Sequence, residues 1–135
     1  MNTTNLYQEL IELHKLTEMH EELEGGFFTV VRHYQAGIVH RPERIRQALR
    51  EQDPERVAME SHSLKSVCRQ VGLQNMGNLA AQLEAMSATG SLQDVEPLVE
   101  QLIASSVVAS QELTRYCHDM GASRPFQDKE GVNEP

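Results

Sequence analysis

Apolar residues in this chain recur by threes and fours in five separate stretches and nowhere alternate over a useful length. That spacing lines one face of an α-helix; a half-buried strand would need a period of two. The first stripe is Leu6, Leu10, Leu13, Leu16, Met19 and Leu23, preceded by the capping-type residues Thr3, Thr4 and Asn5 and broken by Gly25-Gly26. The second opens on Phe27, Phe28, Val30, Val31 and Tyr34 and carries on at Ile45 and Leu49. Pro42 interrupts it. Proline removes one helical hydrogen bond and disfavours helix at the residue before it, so a kink or short break is expected near Arg41.

Asp53-Pro54, an N-cap residue followed by proline at the first helical position, starts a third helix that runs to about Val71 and stops at Gly72. A fourth spans about Gln74 to Ser87 on Met76, Leu79, Ala80, Leu83 and Met86. The fifth is the longest, on Val95, Leu98, Leu102, Ser106, Ala109, Leu113 and Tyr116. These segments predict an all-α fold, an antiparallel up-and-down four-helix bundle with an extra N-terminal helix over residues 1–24. A chain of 135 residues holds one such domain, over 1–120. Residues 121–135 are polar, aperiodic and contain Pro and Gly, and are expected to be a disordered tail.

Charge narrows the function. Twenty acidic residues against twelve basic ones give a net charge of −8, the wrong sign for a nucleic-acid partner, and no basic stripe compensates. Two cysteines, Cys68 and Cys117, each within an apolar stripe, read as buried thiols in a reducing cytosol. The opening residues lack the order of a signal peptide and no apolar run could span a membrane, so a cytoplasmic location is expected. Six histidines raise the possibility of a metal site, yet none has a Glu three residues before it and no His-x-x-x-His pair occurs. A metal in this chain is not expected.

On a helical wheel of the third helix, Val57, Ser61, Leu64, Cys68 and Val71 fall within roughly 40° of one direction, the buried seam. His62 lies roughly 140° away, with Lys65, Ser66 and Arg69 grouped about the same bearing. A histidine offers a nucleophilic nitrogen near neutral pH, and the two cations can reach negative oxygens attached to it. Periodicity alone gives a solvent-facing histidine; it does not give a phosphohistidine.

The string His62-Ser63-Leu64-Lys65-Ser66-Val67-Cys68-Arg69-Gln70-Val71-Gly72 resembles the signature of bacterial histidine phosphotransfer (HPt) domains, H-[TS]-[LI]-K-G-[SA]-A-x-x-[LIV]-G. Leu79-Ala80-Ala81-Gln82-Leu83-Glu84 resembles the family's L-A-x-x-L-E on the next helix, and Pro42–Ile45 and Arg50–Asp53 resemble the segments before the histidine helix. The resemblance covers roughly Tyr34 to Tyr116. It implies that His62 is the phosphoacceptor, that Lys65 stabilises the phosphoryl oxygens and that Glu84 orients the imidazole. Ser66 departs from the family's glycine, at a position where small size gives an incoming domain clearance.

The function implied is relay of a phosphoryl group between receiver domains of response regulators, or a hybrid sensor histidine kinase, in a two-component phosphorelay. Glu55, Met59, Ser66 and Arg69 would meet the partner. No cofactor is expected in this chain; the Mg²⁺ of the reaction would belong to the receiver. No Gly-rich phosphate loop occurs, so the chain is expected to be a stoichiometric intermediate, with no kinase activity of its own. The competing reading is a bundle that binds receivers without carrying phosphate. A monomer is expected.

Overall fold

The computed structural model describes residues 13–122. Five α-helices follow one another: α1 (Leu13–Leu23), α2 (Phe27–Arg50), α3 (Pro54–Val71), α4 (Gln74–Ala88) and α5 (Glu96–Cys117), ending in a π-turn over His118–Ala122. Helices α2 to α5 each pack on the next, and α5 closes back on α2, so the four form a bundle; α1 rests outside, on α2 and α3. This is the all-α bundle with an extra helix that the stripes predict. Leu6, Leu10 and the residues before them, and the tail beyond 122, lie outside the described residues.

The core is the sum of the stripes. Phe27, Val31, Ile38 and Ile45 from α2 meet Val57, Leu64, Cys68 and Val71 from α3, Met76, Leu79, Ala80 and Leu83 from α4, and Val99, Leu102, Ala109 and Leu113 from α5. Fully burying each large aliphatic side chain contributes about 1.5–3 kcal/mol, and the aliphatic residues carry this core with little aromatic help. In α5 the buried face turns slightly from the expected one: Val99 and Cys117 are buried, while Leu98 and Tyr116 are only partly covered.

One expectation needs correction. No break occurs near Arg41, for α2 is helical throughout with Pro42 inside it. The missing N–H deprives the Ile38 carbonyl of its helical donor; burial of the proline beside Ile38 and Ile45 on the core face offsets that loss. The Gly25-Gly26 break occurs as expected, as a single 3₁₀ turn over Glu24–Gly26 in which Glu24 takes left-handed backbone (φ 48°).

Helix α1 is held by few but specific contacts. Leu16 is fully buried. The His20 ring stacks on Phe27 at 4.4 Å and meets Phe28 edge-on at 5.2 Å. The Thr17 and Tyr116 hydroxyls lie 3.4 Å apart. Leu23, the last residue of the expected stripe, is exposed.

Candidate functional site

Helix α3 is fixed at both ends by its own sequence. Asp53 Oδ1 accepts a hydrogen bond from the Arg56 backbone N–H at 3.2 Å, with Pro54 in the first turn, so the predicted N-cap is the one formed. At the other end Gly72 takes a left-handed conformation (φ 81°), and the N–H groups of Gly72 and Leu73 both donate to the Cys68 carbonyl. This is a glycine-terminated Schellman-type cap, with Leu73 buried beneath it. Only Gly72 and Leu73 separate α3 from α4. The chain therefore reverses at once, and α4 runs back along α3 with Glu84 opposite His62.

His62 stands on the exposed face of α3, its side chain 60% accessible. Nδ1 lies 2.8 Å from Glu84 Oε2. A carboxylate accepts only, so Nδ1 carries the proton in this pair and Nε2 keeps its lone pair, on the ring edge turned away from Glu84. The other carboxylate oxygen, Oε1, accepts from Lys65 Nζ at 2.6 Å. One carboxylate thus bridges the imidazole and the ammonium. The Lys65 hydrogen bond holds the Glu84 carboxyl below the usual carboxylate range, and the His62 hydrogen bond acts in the same direction, against a partly cancelling effect of burial.

Lys65 differs from its expected position. Its side chain is only 20% exposed and leans toward α4. The reason lies on the wheel: Lys65 sits only about 80° from the centre of the buried seam, on the shoulder of the helix. The opposite shoulder carries Glu60, whose carboxylate accepts from Arg41 of α2 at 2.8 Å. Ion pairs thus flank α3 on both sides, toward α2 and toward α4, with the His62 face between them.

Along that face Glu55, Met59, Ser66 and Arg69 are all exposed, Met59 to 58%. They share one side with His62, as their spacing of threes and fours requires. Ser66, one turn beyond His62, presents nothing larger than a hydroxymethyl group. Sequence reasoning missed two features. The Arg41–Glu60 pair joins residues on separate helices, which a single-helix wheel cannot match. Lys15 of α1 approaches Arg69 at the far end of the face, where the two line common clefts.

Elsewhere the chain offers less chemistry. Cys68 and Cys117 are buried and form no disulfide, and burial pushes the Cys117 thiol up to about 11. Among the described residues no group of three or more His, Cys, Asp or Glu side chains could hold a metal ion. No helix among them is long and apolar enough to cross a membrane.

Comparison with known proteins agrees with this arrangement. No curated protein sequence matches the chain. Among solved structures, histidine-containing phosphotransfer protein B (HptB) from Pseudomonas aeruginosa PAO1 has the same fold, with a TM-score of 0.75 at 18% identity, over 78% of this chain and 92% of that one. The family model for the Hpt domain matches residues 30–122, which takes in α3, α4, α5 and nearly all of α2. A bundle of this architecture, with a histidine exposed on its second core helix and a match over most of its length, belongs to the Hpt domain family of histidine phosphotransfer proteins.

Proposed function

We propose that this chain carries a phosphoryl group on Nε2 of His62, passing it between aspartyl phosphates of receiver domains. The observation that carries the reading is the Glu84 carboxylate 2.8 Å from Nδ1. It fixes the ring's orientation and tautomer and leaves the exposed nitrogen as the nucleophile.

The transfer balances within the two proteins. The Nε2 lone pair forms a bond to phosphorus as the P–O bond to the receiver's aspartate breaks, returning that side chain to a carboxylate. The imidazole keeps its Nδ1 proton and acquires positive charge, which Glu84 offsets. Lys65, which has three N–H donors and spends one on Glu84, has others to offer the phosphoryl oxygens. Reversal of these steps delivers the group to a second receiver. Such transfer depends on positioning and electrostatics. The Mg²⁺ and acidic cluster belong to the receiver in this reading, and the chain acts as a carrier, with no kinase step of its own.

The exposed residues Glu55, Met59, Ser66 and Arg69 would form the docking surface around His62. The test is transfer of label from a phosphorylated receiver to the full chain and to His62→Gln. Label on the native chain and none on the variant is the expected result. Label that never reaches the native chain, while the receiver still binds, would favour a binding-only module and overturn the carrier reading.

A further inference from the structure

Helix α1 lies outside the stretch that the Hpt family model matches, yet its Lys15 shares a cleft with Arg69, a residue of the exposed face of α3. Lys15 of α1 and Arg69 of α3 together line a cleft of about 440 Å³, completed by the Gly72–Gln74 turn and by Gly77 and Asn78 of α4. They also line a neighbouring cleft, which takes in Glu18 and Glu22 and so is of mixed charge. The 440 Å³ cleft has the two cations and no carboxylate.

Several other cations of the bundle are neutralised by a neighbour. Arg41, Arg46, Arg56 and Lys65 each pair with a glutamate. Lys15 and Arg69, like Arg44 and Arg50, have no ion-pair partner among the described residues, but they alone share a carboxylate-free cleft beside the His62 helix, in a chain whose net charge is −8. Their place along the face matters too. Arg69 follows His62 by seven residues, about 10 Å along the helix axis. A standard protein interface covers about 800 Å² on each partner, a disc of about 16 Å radius. A domain of that footprint centred on His62 extends over Arg69, with which Lys15 of α1 shares the cleft.

We propose that Lys15 and Arg69 form the basic end of the receiver-docking face and bind carboxylate side chains on the receiver, so that α1 takes part in choosing the partner. The inference rests on the carrier reading above. Charge complementarity selects the occupant: two unpaired cations on an otherwise acidic protein attract an acidic patch and repel a basic one, which governs encounter and register more than intrinsic reactivity.

The test uses the full chain and a phosphorylated receiver that binds it. Lys15→Glu is expected to weaken receiver binding about threefold to tenfold, an effect that shrinks at 0.5 M salt, where screening acts within a few ångströms. Lys15→Arg is expected to bind as the native chain does. Phosphorylation of His62 by phosphoramidate, which has no docking surface, separates binding from chemistry and should be the same in all three. Should the charge reversal disturb α1 by circular dichroism, Lys15→Gln gives the same measurement with a smaller expected loss. Unchanged receiver affinity in the reversal and in Lys15→Gln would overturn the inference, as would an equal loss with phosphoramidate. Absence of transfer from receiver to the native chain would instead overturn the carrier reading itself.

Discussion

His62 and Glu84 meet across the α3–α4 interface with 2.8 Å between Nδ1 and Oε2, and the same carboxylate reaches Lys65 on its other oxygen. Glu84 therefore acts on the imidazole as an acceptor and on the lysine as a counter-charge. Glu84→Gln removes the charge but keeps the shape, and loss of such an orienting partner typically costs tenfold or more. We expect transfer to slow by about 10-fold or more with helix content unchanged. ¹⁵N NMR of the imidazole checks the cause: the Nδ1–H form should dominate in the native chain and give way to a mixture in the variant.

The same contact predicts how stability responds to acid. A carboxyl held below its ordinary value of 4.5 favours the folded state wherever it is charged. That contribution is fully present above pH 4.5 and is lost as pH falls from there through the lowered value. The stability gap between native chain and Glu84→Gln should therefore be constant near neutrality and narrow below about pH 4.5, measured by urea denaturation across the range.

Lys65→Ala should slow phosphotransfer while leaving the bundle folded. The lysine is largely covered, yet it packs on the shoulder of α3, outside the seam, and a partly exposed ion pair contributes about 0–1 kcal/mol. A loss well above that in thermal denaturation would mean the Lys65–Glu84 pair is a structural tie between helices.

Ser61 sits one residue before His62, fully buried, and its hydroxyl has no hydrogen-bond partner among the described residues. Ser61→Ala removes an unsatisfied polar group and raises helix propensity. It should stabilise the bundle by about 1 kcal/mol. Its neighbour in the seam, Leu64, sets the contrasting scale: Leu64→Ala should cost about 2–5 kcal/mol. Both are read from chemical denaturation midpoints.

Two helix ends use the same left-handed cap with different residues. At Gly72 the conformation costs nothing; at Gln52 (φ 56°), where the Asp53 N–H donates to Ala48 and the Gln52 N–H to Leu49, a side chain is held in it. Gly72→Ala should destabilise by about 1–2 kcal/mol and Gln52→Gly should stabilise by a smaller amount. Equal and opposite thermal shifts, or none, would contradict this account of the caps.

The fold was legible in the chain where punctuation and periodicity agreed. Asp53-Pro54 and Gly72 mark α3 to the residue, because each signal has its own local mechanism and needs no tertiary partner. Pro42 misled for the opposite reason: its local preference is real, and core packing outweighed it. At the site, the wheel placed His62 and Arg69 correctly because both point well away from the seam. Lys65 sits on the shoulder, where exposure depends on what the next helix brings alongside, and that helix brings Glu84. The part played by Lys15 could not be read from spacing at all, since it arises from how α1 lies across the end of α3.

The two-residue link between α3 and α4 has a consequence for folding order. His62 and Glu84 are separated by only 22 positions, so bringing them together costs about 1 kcal/mol less chain entropy than closing α5 onto α2, where Gln35 meets Ser110 across 75 positions. The His62–Glu84 pair belongs to a helical hairpin of low contact order, which can form before the bundle is complete. The proposed chemistry would thus be carried by a compact stretch of chain, which α2 and α5 hold in place.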